Sequence, residues 1–264
     1  MSAEWVEVNG VSLRFAREGS SGPVVVLLHE MGGAIESWDD VVWALRGEAQ
    51  FLRFDQRGFG MSEKGQSITM ESLVDDLAEL LDATGVNERV ILAGAALGAA
   101  LALGFAVRHP ARLRGMVLAS PATGGSPLTA RTAMEARHAA IRSDGLRAVT
   151  DRMMMTTYPA GVPWDTKRFE RHRKRWLGAD PEAFIAVNEM LADLDLQPQL
   201  GMIATPTLVI GCTHDPIRPP ARSAEIAAKM LNARFVECES GHYLPLQHPE
   251  EFAGQLRAFI RSHA

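Results

Sequence analysis

Residues 94–98 read Gly94-Ala95-Ala96-Leu97-Gly98. The spacing is that of G-x-S-x-G, which sets a serine hydroxyl on a sharp strand-to-helix turn where it can attack a carbonyl. Here the nucleophile position, Ala96, carries a methyl group, which has no lone pair to attack with. The flanks otherwise match. Arg89-Val90-Ile91-Leu92-Ala93 is an apolar run fit for a buried strand, and residues 97–109 read as an Ala/Leu-rich helix stopped by Pro110. Gly94 and Gly98 sit where the turn and the close helix approach need no side chain. Asp215 and His242 follow in chain order, the order of one known acid and histidine arrangement around such a turn. His242, with an ordinary pKa of ~6.5, can shuttle a proton at neutral pH. Asp215 would hold one imidazole tautomer and stabilise the imidazolium as it forms. The Leu97 amide, just past the turn, is an expected oxyanion donor.

These residues need strands to carry them. Residues 5–9 and 12–18 are β-type runs joined by Asn9-Gly10, a strong hairpin signal. Residues 23–29, 51–55, 89–93, 116–119, 207–211 and 234–238 supply further strands, with helices expected at 37–46, 69–85, 97–109, 221–231 and 249–262. Ser37 is the expected cap of the first of these helices. Alternating strands and helices predict an α/β fold with a mostly parallel eight-stranded sheet covered by helices on both faces. The rhythm breaks between residues 124 and 204, which hold helical segments and no convincing strand. The expectation is a core of residues 1–123 and 205–264 with a helical cap at 124–204. In an open sheet the site lies beyond the carboxyl ends of the strands. The strand ends there are His29-Glu30, Asp55, Ala96, Ser120, Asp215 and Gly241-His242.

The 264 residues are 47% hydrophobic and 22% charged, with a formal net charge of −5, which argues against nucleic acid or an anionic membrane as the main partner. No run approaches the ~18 apolar residues of a membrane span, and the first residues lack the pattern of a secretory signal. Cys212 and Cys238 lie in apolar runs and are expected as buried, reduced thiols, in keeping with a cytoplasmic protein.

Four motifs carry a resemblance: Phe54-Asp55-Gln56-Arg57-Gly58-Phe59-Gly60-Met61-Ser62, the turn at 94–98, the run from Ala204 to Pro216, and Ser240-Gly241-His242-Tyr243. With them the chain resembles an α/β-hydrolase-fold enzyme over essentially its full length, most of all the 3-oxoadipate enol-lactonases and related ring-opening hydrolases. Leu191-Ala192-Asp193-Leu194-Asp195-Leu196 is similar to the end of the lactonase cap. The resemblance implies a hydrolase of a small lactone, ester, amide or ring-cleavage product that uses no cofactor and no metal, and that has aromatic catabolism as its setting. It points to Met31 as the second oxyanion donor and to Asp55 and Arg57 as a turn shaping the site from behind. Ser120 leaves the alternative acid position of some relatives without an acid.

Two residues depart from that pattern. Glu30 stands where relatives usually carry glycine, and either turns to solvent or adds a carboxylate at the mouth of the oxyanion hole. For Ala96 three accounts stay open. It is a serine exchanged to trap a ligand, or a natural residue beside a His242–Asp215 dyad that acts on water or on a substrate proton in a lyase- or oxygenase-like reaction. The third is a pocket that only binds. Met153, Tyr158 and Trp164 are expected substrate-binding residues of the cap, with a core role as the plainer alternative. The cluster Lys167, Arg168, Arg171, Arg173, Lys174 and Arg175 is a solvated helix face or an attractor of a carboxylate substrate. His214 and His248 read as loop residues. A small molecule is the expected partner, with homodimerisation left open.

Overall fold

β-branched and apolar runs bounded by turn residues build the sheet. In the computed structural model, residues 3–124 and 128–263 are described. Among them, eight strands pair in one sheet: β1 (Glu4–Val8), β2 (Val11–Glu18), β3 (Val24–Leu28), β4 (Gln50–Phe54), β5 (Val90–Ala95), β6 (Leu113–Ala119), β7 (Thr207–Cys212) and β8 (Ala233–Cys238). The spatial order is β1-β2-β4-β3-β5-β6-β7-β8. β2 runs antiparallel to both of its neighbours, and the remaining pairs are parallel. The hairpin signal is met: Asn9 and Gly10 both take positive φ, 46° and 72°, as a two-residue turn between twisted strands requires.

The helices are α1 (Asp39–Ala44), α2 (Met70–Ala83), α3 (Leu97–Arg108), α4 (Leu128–Asp144), α5 (Arg147–Thr157), α6 (Thr166–Leu177), α7 (Pro181–Asp193), α8 (Pro220–Lys229), α9 (Leu244–Gln247) and α10 (Pro249–His263). α2, α3 and α8 cover one face of the sheet, packed on Val24, Val26, Leu28 and Leu92. α1 and α10 cover the other, packed on Val25, Leu27, Ile91 and Ile210. Burial on both faces is why the central strands read as unbroken apolar runs rather than alternating ones. Leu73, Leu77, Leu80 and Leu81 form the buried stripe of α2, whose first turn is capped by Thr69. Ser37 does not cap α1. It lies in a 3₁₀ turn, Ile35–Trp38, that precedes the helix, and its hydroxyl is drawn inward to Glu30 Oε1 at 3.0 Å.

Between β6 and β7 the described chain forms α4–α7 and a 3₁₀ segment, Gln197–Met202. The two ends of this stretch are tied together, with the Leu196 amide donating to Thr123 O at 3.0 Å and a bridge between Gly124 and Asp195. The stretch therefore leaves and rejoins the sheet at one place. No helix among the described residues is long and apolar enough to cross a membrane.

Two close approaches place α3. A Cβ on Gly98 would fall 2.0 Å from Leu28 O of β3, and one on Gly94 would fall 2.6 Å from the Gly98 carbonyl carbon. Neither neighbour is a flexible side chain. Gly98→Ala is therefore expected to cost at least about 2 kcal/mol of stability, read as a lower urea midpoint. A midpoint equal to that of the parent protein would contradict this account of the packing.

Candidate active site

Ala96 joins β5 to α3 with φ 51° and ψ −105°, a region that glycine tolerates and alanine does not favour. Holding such a residue costs about 1–3 kcal/mol. The surroundings impose it: the Ala96 amide donates to Ala119 O at 3.0 Å, and its carbonyl accepts from the Ala100 amide at 3.1 Å. The turn thus keeps the backbone form that presents a side chain at the strand tip, and here that side chain is a methyl.

Asp215 and His242 meet beside it. Asp215 follows β7, and its Oδ1 accepts the amides of Ile217 and Arg218, each at 2.9 Å. Its Oδ2 accepts from His242 Nδ1 at 2.7 Å. His242 stands on the loop between β8 and α9. That loop is pinned to the end of α5, where Thr157 O accepts from the His242 amide at 3.4 Å and from the Gln247 amide group at 3.1 Å. Both members of the pair are buried. Burial pushes the imidazole below the usual histidine range against the pull of Asp215. Burial alone would raise Asp215, but the imidazole and the amide donors outweigh it and hold the carboxyl below the usual aspartate range. With Nδ1–H committed to Asp215, Nε2 carries the lone pair, and Arg218 Nη1 lies 3.1 Å from it.

The loop after β3 approaches from the other side. His29 Nε2 accepts the Gln56 amide at 2.9 Å, its Nδ1 lies 2.7 Å from Glu30 O, and the Gln56 side chain donates to His29 O at 2.8 Å. Asp55 takes the amides of Ile35 and Met61, both at 2.7 Å, and Arg57 pairs with Asp76 through two bonds of 2.7 and 2.6 Å. These bonds fix the loop that carries Met31. Among the described residues no backbone acceptor takes the Met31 or Leu97 amide.

One cavity of about 970 Å³ is lined by Ala96, Leu97, Met31, His242 and Met153, bringing most of the expected site residues together. Glu30, Tyr158 and Trp164 are outside that lining. Glu30 takes neither of its two expected directions. It is 2% exposed and folded under its own loop, bound by Ser37 and 3.5 Å from His172 Nε2. Tyr158 is buried, with its hydroxyl 2.9 Å from His172 Nδ1, and half-buried Trp164 stacks edge-on against Tyr158 at 5.7 Å. These three belong to the packing beneath the cavity rather than to its wall.

Three arginines of the basic cluster of α6 are external tethers, while Arg175 is partly buried and acts on His29, Tyr158 and His172. Arg168 pairs with Asp40 and Glu250, Arg171 with Asp40, and Arg173 with Asp151. The cations on the cavity wall are others: Arg131, Arg137, Arg152, Arg218 and Arg222. Sequence reading missed them, along with Trp176 and Tyr243. Arg218 sits in Pro216-Ile217-Arg218-Pro219, which reads as a turn, and an arginine between two prolines after the acid is the signal that was there. Among the described residues no group of three or more His, Cys, Asp or Glu side chains is placed to hold a metal ion.

Comparison with known proteins agrees with this fold. The family model described as serine aminopeptidase, S33, matches residues 19–239. A pyrrolizixenacetamide deacetylase of Xenorhabdus hominickii is 27% identical, covering 97% of each chain. The 3-oxoadipate enol-lactonase 1 of Acinetobacter baylyi is 21% identical over 92% of this chain and 90% of its own. The crystal structure of the enol-lactonase from Burkholderia xenovorans LB400 superposes with a TM-score of 0.89 at 27% identity, over 98% of this chain and 100% of that one.

The buried histidines carry a pH consequence. His242, His29 and His172 are held below the usual range chiefly by burial, His172 well below it. The unfolded chain, with histidines near ~6.5, binds more protons than the folded one as pH falls below that value. Stability from these groups is therefore full above about pH 6.5 and lost on acidification toward the folded-state values. Urea midpoints followed by tryptophan fluorescence should be lower at pH 5 than at pH 8. His172→Asn should flatten the difference, and equal slopes in the two proteins would locate the acid sensitivity elsewhere.

Proposed function

Because this chain belongs to the α/β-hydrolase family matched across residues 19–239, we propose that it cleaves a small ester, lactone or amide without a cofactor, using His242 as general base. Water takes the place of the missing serine oxygen. The observation that carries this reading is the buried 2.7 Å bond from His242 Nδ1 to Asp215 Oδ2, which lies behind a His242 that lines the same cavity as Ala96 and Leu97. A protein that only bound ligands would have no use for that pair. The names of the relatives, a deacetylase and enol-lactonases, support acyl cleavage as the reaction class.

The steps follow from the positions. His242 Nε2 accepts a proton from water as its oxygen bonds to the carbonyl carbon. The carbonyl π electrons move to oxygen, and the amides of Leu97 and Met31 receive the oxyanion. Asp215 stabilises the imidazolium formed. When the intermediate collapses, the imidazolium returns its proton to the leaving oxygen or nitrogen. The helices between β6 and β7 serve as a cap, residues 124–204 over a core of 1–123 and 205–264, that shapes the pocket. A second reading follows from Ala96 itself: a base and two amides with no nucleophile also suit proton abstraction beside a carbonyl, the amides holding the enolate.

Assay of short esters, lactones and amides should find turnover that falls by about 10²–10⁴-fold in His242→Ala. Turnover that survives this change would sink the reading. Since burial lowers His242, its neutral, basic form persists below pH ~6.5, so the acid limb of kcat/KM is expected on the acid side of that value. Ala96→Ser is expected to add an acyl-enzyme mass with an activated short ester. Failure to acylate with such esters both with and without a carboxylate on the acyl chain would show that the two amides do not form an oxyanion hole.

A further inference from the structure

A base with a cation on its lone pair does not accept a proton. His242 donates from Nδ1 to Asp215, so Nε2 can only accept, and Arg218, which can only donate, occupies it at 3.1 Å. Asp215 arranges both partners: one oxygen orients the imidazole, and the other takes the Ile217 and Arg218 amides and fixes the loop from which Arg218 reaches back. Among the described residues no carboxylate lies within ion-pair distance of the Arg218 guanidinium. Burial pushes that guanidinium below the usual arginine range against the pull of the Asp215 charge.

The rest of the cavity has the same character. Its wall carries five arginines and one carboxylate, Glu225, in a protein whose net charge is −5. Arg131 pairs with Asp193, and Arg222 lies 3.7 Å from Glu225. Half-buried Arg137 donates to Asn188 Oδ1 at 2.9 Å and feels the charge of Arg152.

We propose that Arg218 is the receptor for a carboxylate on the ligand and that, until such a group arrives, it masks the base. The carboxylate draws the guanidinium off Nε2 into a two-bond, charge-assisted pair, which is stronger than one bond to a neutral imidazole. The lone pair is then free beside the carbonyl to be cleaved. A neutral substrate must displace Arg218 with nothing to receive it, so the device selects carboxylate-bearing substrates at the step that exposes the base. The proposal rests on the reading of His242 as general base and deepens it by naming the substrate class.

The test reads binding and titration on the protein as it stands, without turnover. The groups facing His242 are Asp215 and Arg218 from the loop after β7, Glu30 from the loop after β3, His172 from α6 and the adjoining Tyr243. Only Arg218 changes place in this scheme. NMR titration of labelled His242 should show its midpoint rising by about one unit with saturating succinate, and unmoved by the neutral diamide succinamide. Arg218→Gln should raise the midpoint of the free protein and weaken succinate at least about tenfold, while Arg218→Lys retains part of the affinity and so answers for the fold. Succinate binding unchanged in Arg218→Gln, a His242 midpoint indifferent to that change, or binding of inorganic phosphate in preference to succinate would each overturn the proposal. A protein that shows the midpoint shifts yet hydrolyses nothing would instead refute the hydrolase reading and leave the carboxylate receptor standing.

Discussion

The contact on which the rest of the site depends is the seating of the first turn of α3 directly on the backbone of β3 and β5. Leu28 O occupies the space where a Gly98 side chain would be, and Gly98 occupies that of Gly94. Helix and strands can come this close only because both positions lack a Cβ. The chain must then turn within Ala96, whose φ of 51° is the strained result. The same turn leaves the Leu97 amide at the start of a helix, where no intrahelical acceptor exists for it. The position of the Leu97 amide, the strand tip and the direction in which position 96 points are one consequence of two missing methyl groups.

Much of this was legible from residue types because it is local. Glycines at 94 and 98, an apolar strand before and a helix after leave few backbone solutions, and the eight strands announce themselves as β-branched runs between turn residues. Chain order then brought Asp215 and His242 to neighbouring strand ends. Their meeting needed no long-range guess, because consecutive parallel strands all end on one side.

What was not legible is which way long side chains turn once loops fold back. Glu30 follows a strand end and reads as a residue of the mouth, yet Ser37 draws it beneath the loop. Tyr158 and Trp164 have the size of pocket residues, but His172 and Phe169 claim them. Arg168 and Arg171 of α6 have acidic partners on α1 and α10 far away in sequence, so those charges are spent outside. Conversely, Arg137 and Arg152 sit on separate helices, α4 and α5, and become neighbours only through the packing of those helices.

An anion nearing this molecule meets a chain of formal net charge −5 before it meets the partly buried guanidinium of Arg218. The two fields differ in range. Repulsion by the surface acts across solvent and is screened over about 10 Å at 0.1 M salt, whereas attraction inside the cavity acts at contact, where few mobile ions fit. Moderate ionic strength therefore removes more of the barrier than of the well. Capture of small anions by this cavity should quicken as electrolyte is added, the reverse of proteins that steer ligands with an oppositely charged surface.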